Sequence, residues 1–98
     1  MRTINNQKYK AMKAIRKQIK EMIDFTSVSS VTEADQKFDI YLNRIKDAFK
    51  RMRNAPEWTL EDATYIYDFA ISILSERYIE TLLRLDKFAK SNYNFFNE

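Results

Sequence analysis

The chain runs for 98 residues without a single glycine and with only one proline. Tight hairpin turns need residues that accept positive φ, and glycine is their usual supplier. A hairpin-rich sheet protein is therefore excluded, and helices joined by short connections are expected. The same absence removes phosphate-cradling loops and dinucleotide fingerprints, because both need glycine where the backbone approaches phosphate closely.

The spacing of apolar residues predicts three helices within one domain, residues 1–98: about 5–25, 31–54 and 59–90. In the first, Met12, Ile15, Ile19 and Met22 follow three-four-three spacing, with Ile23 beside them, which places them on one side of a helix. "TSVSS" (26–30) then interrupts with small hydroxyl and β-branched residues that favour turns and caps. Ser30/Glu33 and Thr32/Asp35 have capping-box spacing at the start of the second helix. The second helix ends at "NAPEWT", where Pro56 cannot continue it. Thr59 with Asp62 offers a cap for the third. Apolar residues cover a wide arc of the third helix, so it is expected to lie between the other two. The fold class that follows is all-α, an antiparallel three-helix bundle. "SNYNFFNE" at the C-terminus either frays, folds back as a short extra turn that would make a fourth helix, or docks on a second subunit.

Charge is unevenly distributed. Residues 1–20 carry seven positive charges and no negative one, whereas residues 21–98 carry ten positive and fourteen negative, a net of −4. Lys10, Lys13, Lys17 and Lys20, with Arg16 among them, follow the apolar stripe displaced by two residues, nearly opposite it on the helix. Such a row solvates the outward face of a packed helix, and it also offers contacts to an acidic protein or to phosphates. Against nucleic acid, the row itself contains no aromatic residue on which a base would stack. Against a membrane surface, the apolar side of this helix is Met and Ile, without aromatic anchors.

Aromatic residues gather in "WTLEDATYIYDFAISIL" (58–74). Trp58 and Tyr65 are candidate anchors in a partner's pocket, the residue types that dominate interface hot spots. Phe95 and Phe96 form a second candidate patch. Catalytic material is scarce: the chain has no cysteine and no histidine, which removes thiolate chemistry, the commonest metal ligand and the usual general base. The carboxylate pairs Asp35/Asp39 and Glu76/Glu80 lack converging histidines. Meanwhile Glu33/Lys37, Asp47/Arg51, Glu80/Arg84 and Asp86/Lys90 read as ion pairs on solvated helix faces. No catalytic residue, cofactor or metal is expected, and the chain reads as a non-enzyme. No secretory leader and no membrane span are expected, so the location reads as cytoplasmic.

The segment "DAFKRMRNAPEWTLED" (47–62) is similar to the helix–loop–helix centre of the Hha/YmoA nucleoid-modulator family through Asp47, Arg51, Trp58, Leu60 and Asp62. That family's next helix carries an A-D-H-R-containing motif, where this chain reads "AISILSERYIE" without histidine. The resemblance covers one sixth of the chain, and no function is carried over from it. The leading expectation is a helical protein-interaction module, a small regulator or inhibitor that binds and occludes a larger protein with an acidic surface. An excess of residues with AT-rich codons (Phe, Tyr, Met, Ile, Asn, Lys) fits a low-GC bacterium, or a phage or mobile element, as its source. The alternatives are a nucleic-acid-binding factor using the basic first helix, and a structural homo-oligomer.

Overall fold

The computed structural model describes the backbone of residues 2–97 and the side chains of residues 7–87. Three helices make up the fold: α1, Arg2–Met22; α2, Val31–Asn54; and α3, Leu60–Asn97. No strand occurs among the described residues. The C-terminal stretch continues α3 to Asn97 rather than forming a separate helix, so α3 has 38 residues. At 1.5 Å per residue it is about 57 Å long, which accounts for the elongated shape of 67 × 23 × 19 Å. No helix among the described residues is long and apolar enough to cross a membrane.

Both connections are set by local chemistry. Ser30 caps α2, its hydroxyl accepting from the Glu33 amide at 3.2 Å. Glu33 does not reach back to Ser30; its carboxylate takes the Ser29 hydroxyl at 3.0 Å. At the other end, Ala55 leaves the helix with φ −79° and ψ 132°, the extended conformation favoured before proline. Thr59 and Asp62 then form a reciprocal cap. The Asp62 amide donates to Thr59 Oγ1 and the Thr59 amide to Asp62 Oδ2, both at 3.1 Å.

The α1 boundary differs from the expected 5–25. The helix ends at Met22 because Asp24 folds the chain into a turn, accepting from the Thr26 amide at 2.9 Å and the Thr26 hydroxyl at 2.7 Å. These bonds hold the Asp24 carboxyl below its ordinary value, the side-chain bond from Thr26 contributing most. The turn throws Ile23, Phe25 and Val28 inward, where each is at most 4% exposed. They pack with Ala34, Tyr41 and Ile45 of α2 and with Ala70 and Leu74 of α3. Phe25 meets the Tyr41 ring edge-on at 5.6 Å and tilts against Tyr78 at 6.3 Å.

The core therefore sits around the α1–α2 connection, not along α1. Within α1, Met12, Ile15 and Ile19 are only half-buried and Met22 is exposed.

Side chains from α2 and α3 hold this connection. Arg77 donates to the carbonyls of Lys20 and Ile23, covering the C-terminal end of α1. Arg84 donates to the carbonyls of Val28 at 2.9 Å and Phe25 at 3.3 Å. Lys37 reaches the Asp24 carbonyl at 3.2 Å, and the Tyr41 hydroxyl donates to the same carbonyl at 3.0 Å. Lys37 and Arg84 thus bond loop oxygens instead of serving as ion-pair partners of Glu33 and Glu80. Both side chains are long enough to reach across to the connection instead of the carboxylate one turn away on their own helix.

Helix order follows from the paired residues. Phe49 meets Tyr67 and Phe38 meets Tyr78, with ring centroids 5.0 and 4.8 Å apart, so numbering falls along α2 as it rises along α3. Along α1 it rises with α3: Lys8 pairs with Asp62, Arg16 with Tyr65 and the carbonyl of Lys20 with Arg77. Both α1 and α2 pack on α3, while their own Cα atoms stay more than 8 Å apart among the described residues.

Candidate functional site

Because α1 and α2 share α3 without closing on each other, an open cleft of about 650 Å³ lies between them. Ile15, Ile19 and Met22 form its α1 wall. Ile45, Ala48, Phe49 and Met52 form the α2 wall, and Trp58, Ile66, Tyr67 and Ala70 line it from α3 and the connection before it. Gln18, Arg44 and Arg51 also line it. The residues at positions 15, 18, 19 and 22 are three and four apart, which is why one face of α1 supplies a whole wall. Two turns of helix, about 10 Å, separate the ends of that wall.

The opposite side of α1 forms a second surface. Lys10, Lys13, Arg16, Lys17 and Lys20 line a groove of about 610 Å³ together with Ala14 and Phe69 of α3. All four lysines are exposed. Between the helices runs a ladder of cations on aromatic rings. Lys8 lies 5.9 Å from the Trp58 centroid, Arg16 5.8 Å from Tyr65 and Lys20 5.8 Å from Phe69. Arg16 Nη1 also donates to the Tyr65 hydroxyl at 2.8 Å. Each exposed rung contributes about 0.5–1 kcal/mol, so this side of α1 is attached to α3 by weak, hydrated contacts.

The two candidate anchors are separated. Trp58 faces the cleft, half-buried beneath Lys8, whereas Tyr65 lies on the basic side, 46% exposed. Phe95 and Phe96 lie outside the residues whose side chains are described. Sequence reasoning missed the cleft itself, and Phe69 as an aromatic neighbour of the lysine row. The only available signal was the arc of α3, on which Tyr65 and Phe69 are spaced by one turn. Among the carboxylate pairs, Asp35 accepts from the Tyr78 hydroxyl, a bond that with Asp39 nearby raises the phenol's pKa. No cluster of three or more acidic residues able to hold a metal occurs among the described residues.

Lys8 and the α3 cap converge on Asp62. The bond from Lys8 is the main reason its carboxyl titrates below the ordinary value, with the Thr59 bonds adding to it. A depressed folded pKa gives stability that is complete above the unfolded value and is lost as pH falls through the folded one. Asp62→Asn is therefore expected to flatten the acid side of the stability profile. In urea unfolding at a series of pH values, wild type should lose more stability than the variant between about pH 4.5 and about pH 3. Parallel curves would assign the acid dependence to other carboxylates.

Comparison of the chain with family models, with curated proteins and with solved structures returns no match in any of the three.

Proposed function

We propose that this is a non-enzymatic protein-interaction module, a small cytoplasmic regulator or inhibitor that takes an amphipathic helix of its partner into the cleft between α1 and α2. The observation that carries this reading is the open apolar cleft over α3. No Cα of α1 lies within 8 Å of one in α2 among the described residues, and both helices turn apolar rows toward the gap. Packed helices lie 8–10 Å apart, so a partner helix seated there touches α1, α2 and α3 at once and completes a four-helix arrangement.

Charge selects the partner. Arg44 and Arg51 border the cleft and the α1 lysines lie beyond it, so the preferred helix carries acidic residues beside its apolar stripe. Occlusion of that helix is the inhibitory act, and the coding bias noted above suits a phage or mobile element as its source.

Trp58 is the only tryptophan and lines the cleft, which makes it a built-in reporter. Titration with a designed helix carrying a leucine stripe flanked by glutamates should shift Trp58 emission to the blue. The lysine-flanked counterpart should bind much more weakly. Ala48→Trp fills the gap from an exposed position of α2. It should weaken binding, followed by calorimetry, by roughly thirtyfold or more, the scale of a lost hot spot. Equal binding of both peptides, or no effect of Ala48→Trp, would count against the cleft as the docking site.

A further inference from the structure

The basic side of α1 has a use the cleft does not absorb. We infer that the groove lined by Lys10, Lys13, Arg16, Lys17, Lys20 and Phe69, together with Tyr65 beside it under Arg16, is a binding site for single-stranded nucleic acid.

A nucleotide presents an anionic phosphate and a flat π-system, and this surface carries a matched pair for each. In the free protein Arg16 covers Tyr65 and Lys20 covers Phe69. When a strand arrives, the cation turns to the phosphate and the base takes its place on the ring. Each ring thereby exchanges a cation–π contact for a stacked base, Arg16 gives up its bond to the Tyr65 hydroxyl, and the cation gains a phosphate. Tyr65 and Phe69 are four residues apart on one face of α3, about 6 Å along its axis. That exceeds the 3.4 Å rise of a stacked strand, so the rings suit successive bases of an extended strand, not a duplex whose bases are covered. Lys10, Lys13 and Lys17 continue the positive track for about 10 Å along α1. Residues 1–20 contain no carboxylate to oppose it. The aromatic element absent from the lysine row is thus supplied by another helix, from residues 49 positions away in the chain for Arg16 and Tyr65.

The test is fluorescence anisotropy of a labelled oligothymidylate with the intact protein. Binding is expected to fall about fiftyfold between 50 and 200 mM salt if four phosphates are contacted on a single strand. It should exceed binding of a duplex of equal length about tenfold. The exposed pair Lys13→Glu/Lys17→Glu should lower affinity at least about a hundredfold. Phe69→Leu keeps an apolar side chain against α1, and it should weaken the oligothymidylate about tenfold while leaving heparin retention unchanged. Circular dichroism of both variants verifies the fold, and Tyr65→Phe, which retains the ring, should bind within about twofold of wild type. Equal affinity for duplex and single strand, or an unchanged Phe69→Leu, overturns the site and leaves a plain basic surface. Capture by anionic lipid vesicles or acidic peptides, with no oligonucleotide binding, overturns it equally. The cleft variant Ala48→Trp should bind the oligonucleotide normally, which separates this site from the docking of a partner helix.

Discussion

Replacing Phe25 with alanine is expected to destabilise the protein by about 3–5 kcal/mol, the range for truncating a buried phenylalanine. Domains of this size have about 5–15 kcal/mol in total, so the variant should melt about 15–30 °C lower. The loss is large because Phe25 touches all parts of the core at once. It lies against Tyr41 of α2 and Tyr78 of α3, and it packs in the cluster with Ile23, Val28 and Leu74. Phe25→Leu keeps most of the apolar volume and should recover more than half of the effect. Met12→Ala supplies the contrast, since a half-buried methionine on α1 should cost less than about 1 kcal/mol. Thermal and urea unfolding followed by circular dichroism measure all three. If Met12→Ala proved as damaging as Phe25→Ala, the core would have to extend along α1, contrary to the burial found here.

The second large effect is expected from the two arginines that hold the connection. Arg77→Met removes charged donors from the Lys20 and Ile23 carbonyls, at a cost of about 2 kcal/mol. Arg84 is more exposed to solvent, and Arg84→Met should cost about 1 kcal/mol. Because both arginines act on one loop, the double variant should lose about 3–4 kcal/mol, slightly more than the sum. The loss should also be uneven along the chain. Once the connection loosens, α1 retains only half-buried apolar contacts and the cation–ring ladder. Its amides should then exchange by local opening, while those around Leu74 follow global unfolding. Native-state hydrogen exchange of the double variant reads this directly. Uniform acceleration over all three helices would mean that α1 is as firmly held as α3, which the arrangement of its contacts does not support.

Much of the fold was legible in the residues. Missing glycine excludes hairpins, Pro56 stops α2, and Ser30 and Thr59 announce the helix starts that their hydroxyls cap. These signals are local: each acts on backbone groups within four residues, so it can be read without knowing the rest of the structure. The wide apolar arc of α3 likewise indicated two packing partners, and α3 does lie between α1 and α2. Less legible was the α1–α2 connection, which its composition marks as a turn. Asp24, Thr26 and the serines do form turns and caps, yet Ile23, Phe25 and Val28 between them supply much of the core. Polar residues on either side concealed an apolar plug whose burial depends on what α2 and α3 bring to it.

The candidate surfaces divide along the same line. Lys10, Lys13, Arg16, Lys17 and Lys20 were visible as a basic row, and Trp58 and Tyr65 as aromatic anchors. Their surroundings were not. Trp58, in the connection before α3, joined the cleft, while Tyr65 and Phe69, about one turn apart on α3, joined the lysines. Sequence alone determined the three helices, both ends of α2, the start of α3 and the sign of charge on α1, since propensity, capping and periodicity are short-range properties of the chain. Tertiary structure alone decided that α1 and α2 stand apart over α3, where the core gathers, and which ring lies beneath which cation. Those outcomes depend on distances between residues about fifty positions apart, set by the joint packing of three helices and carried by none of them singly.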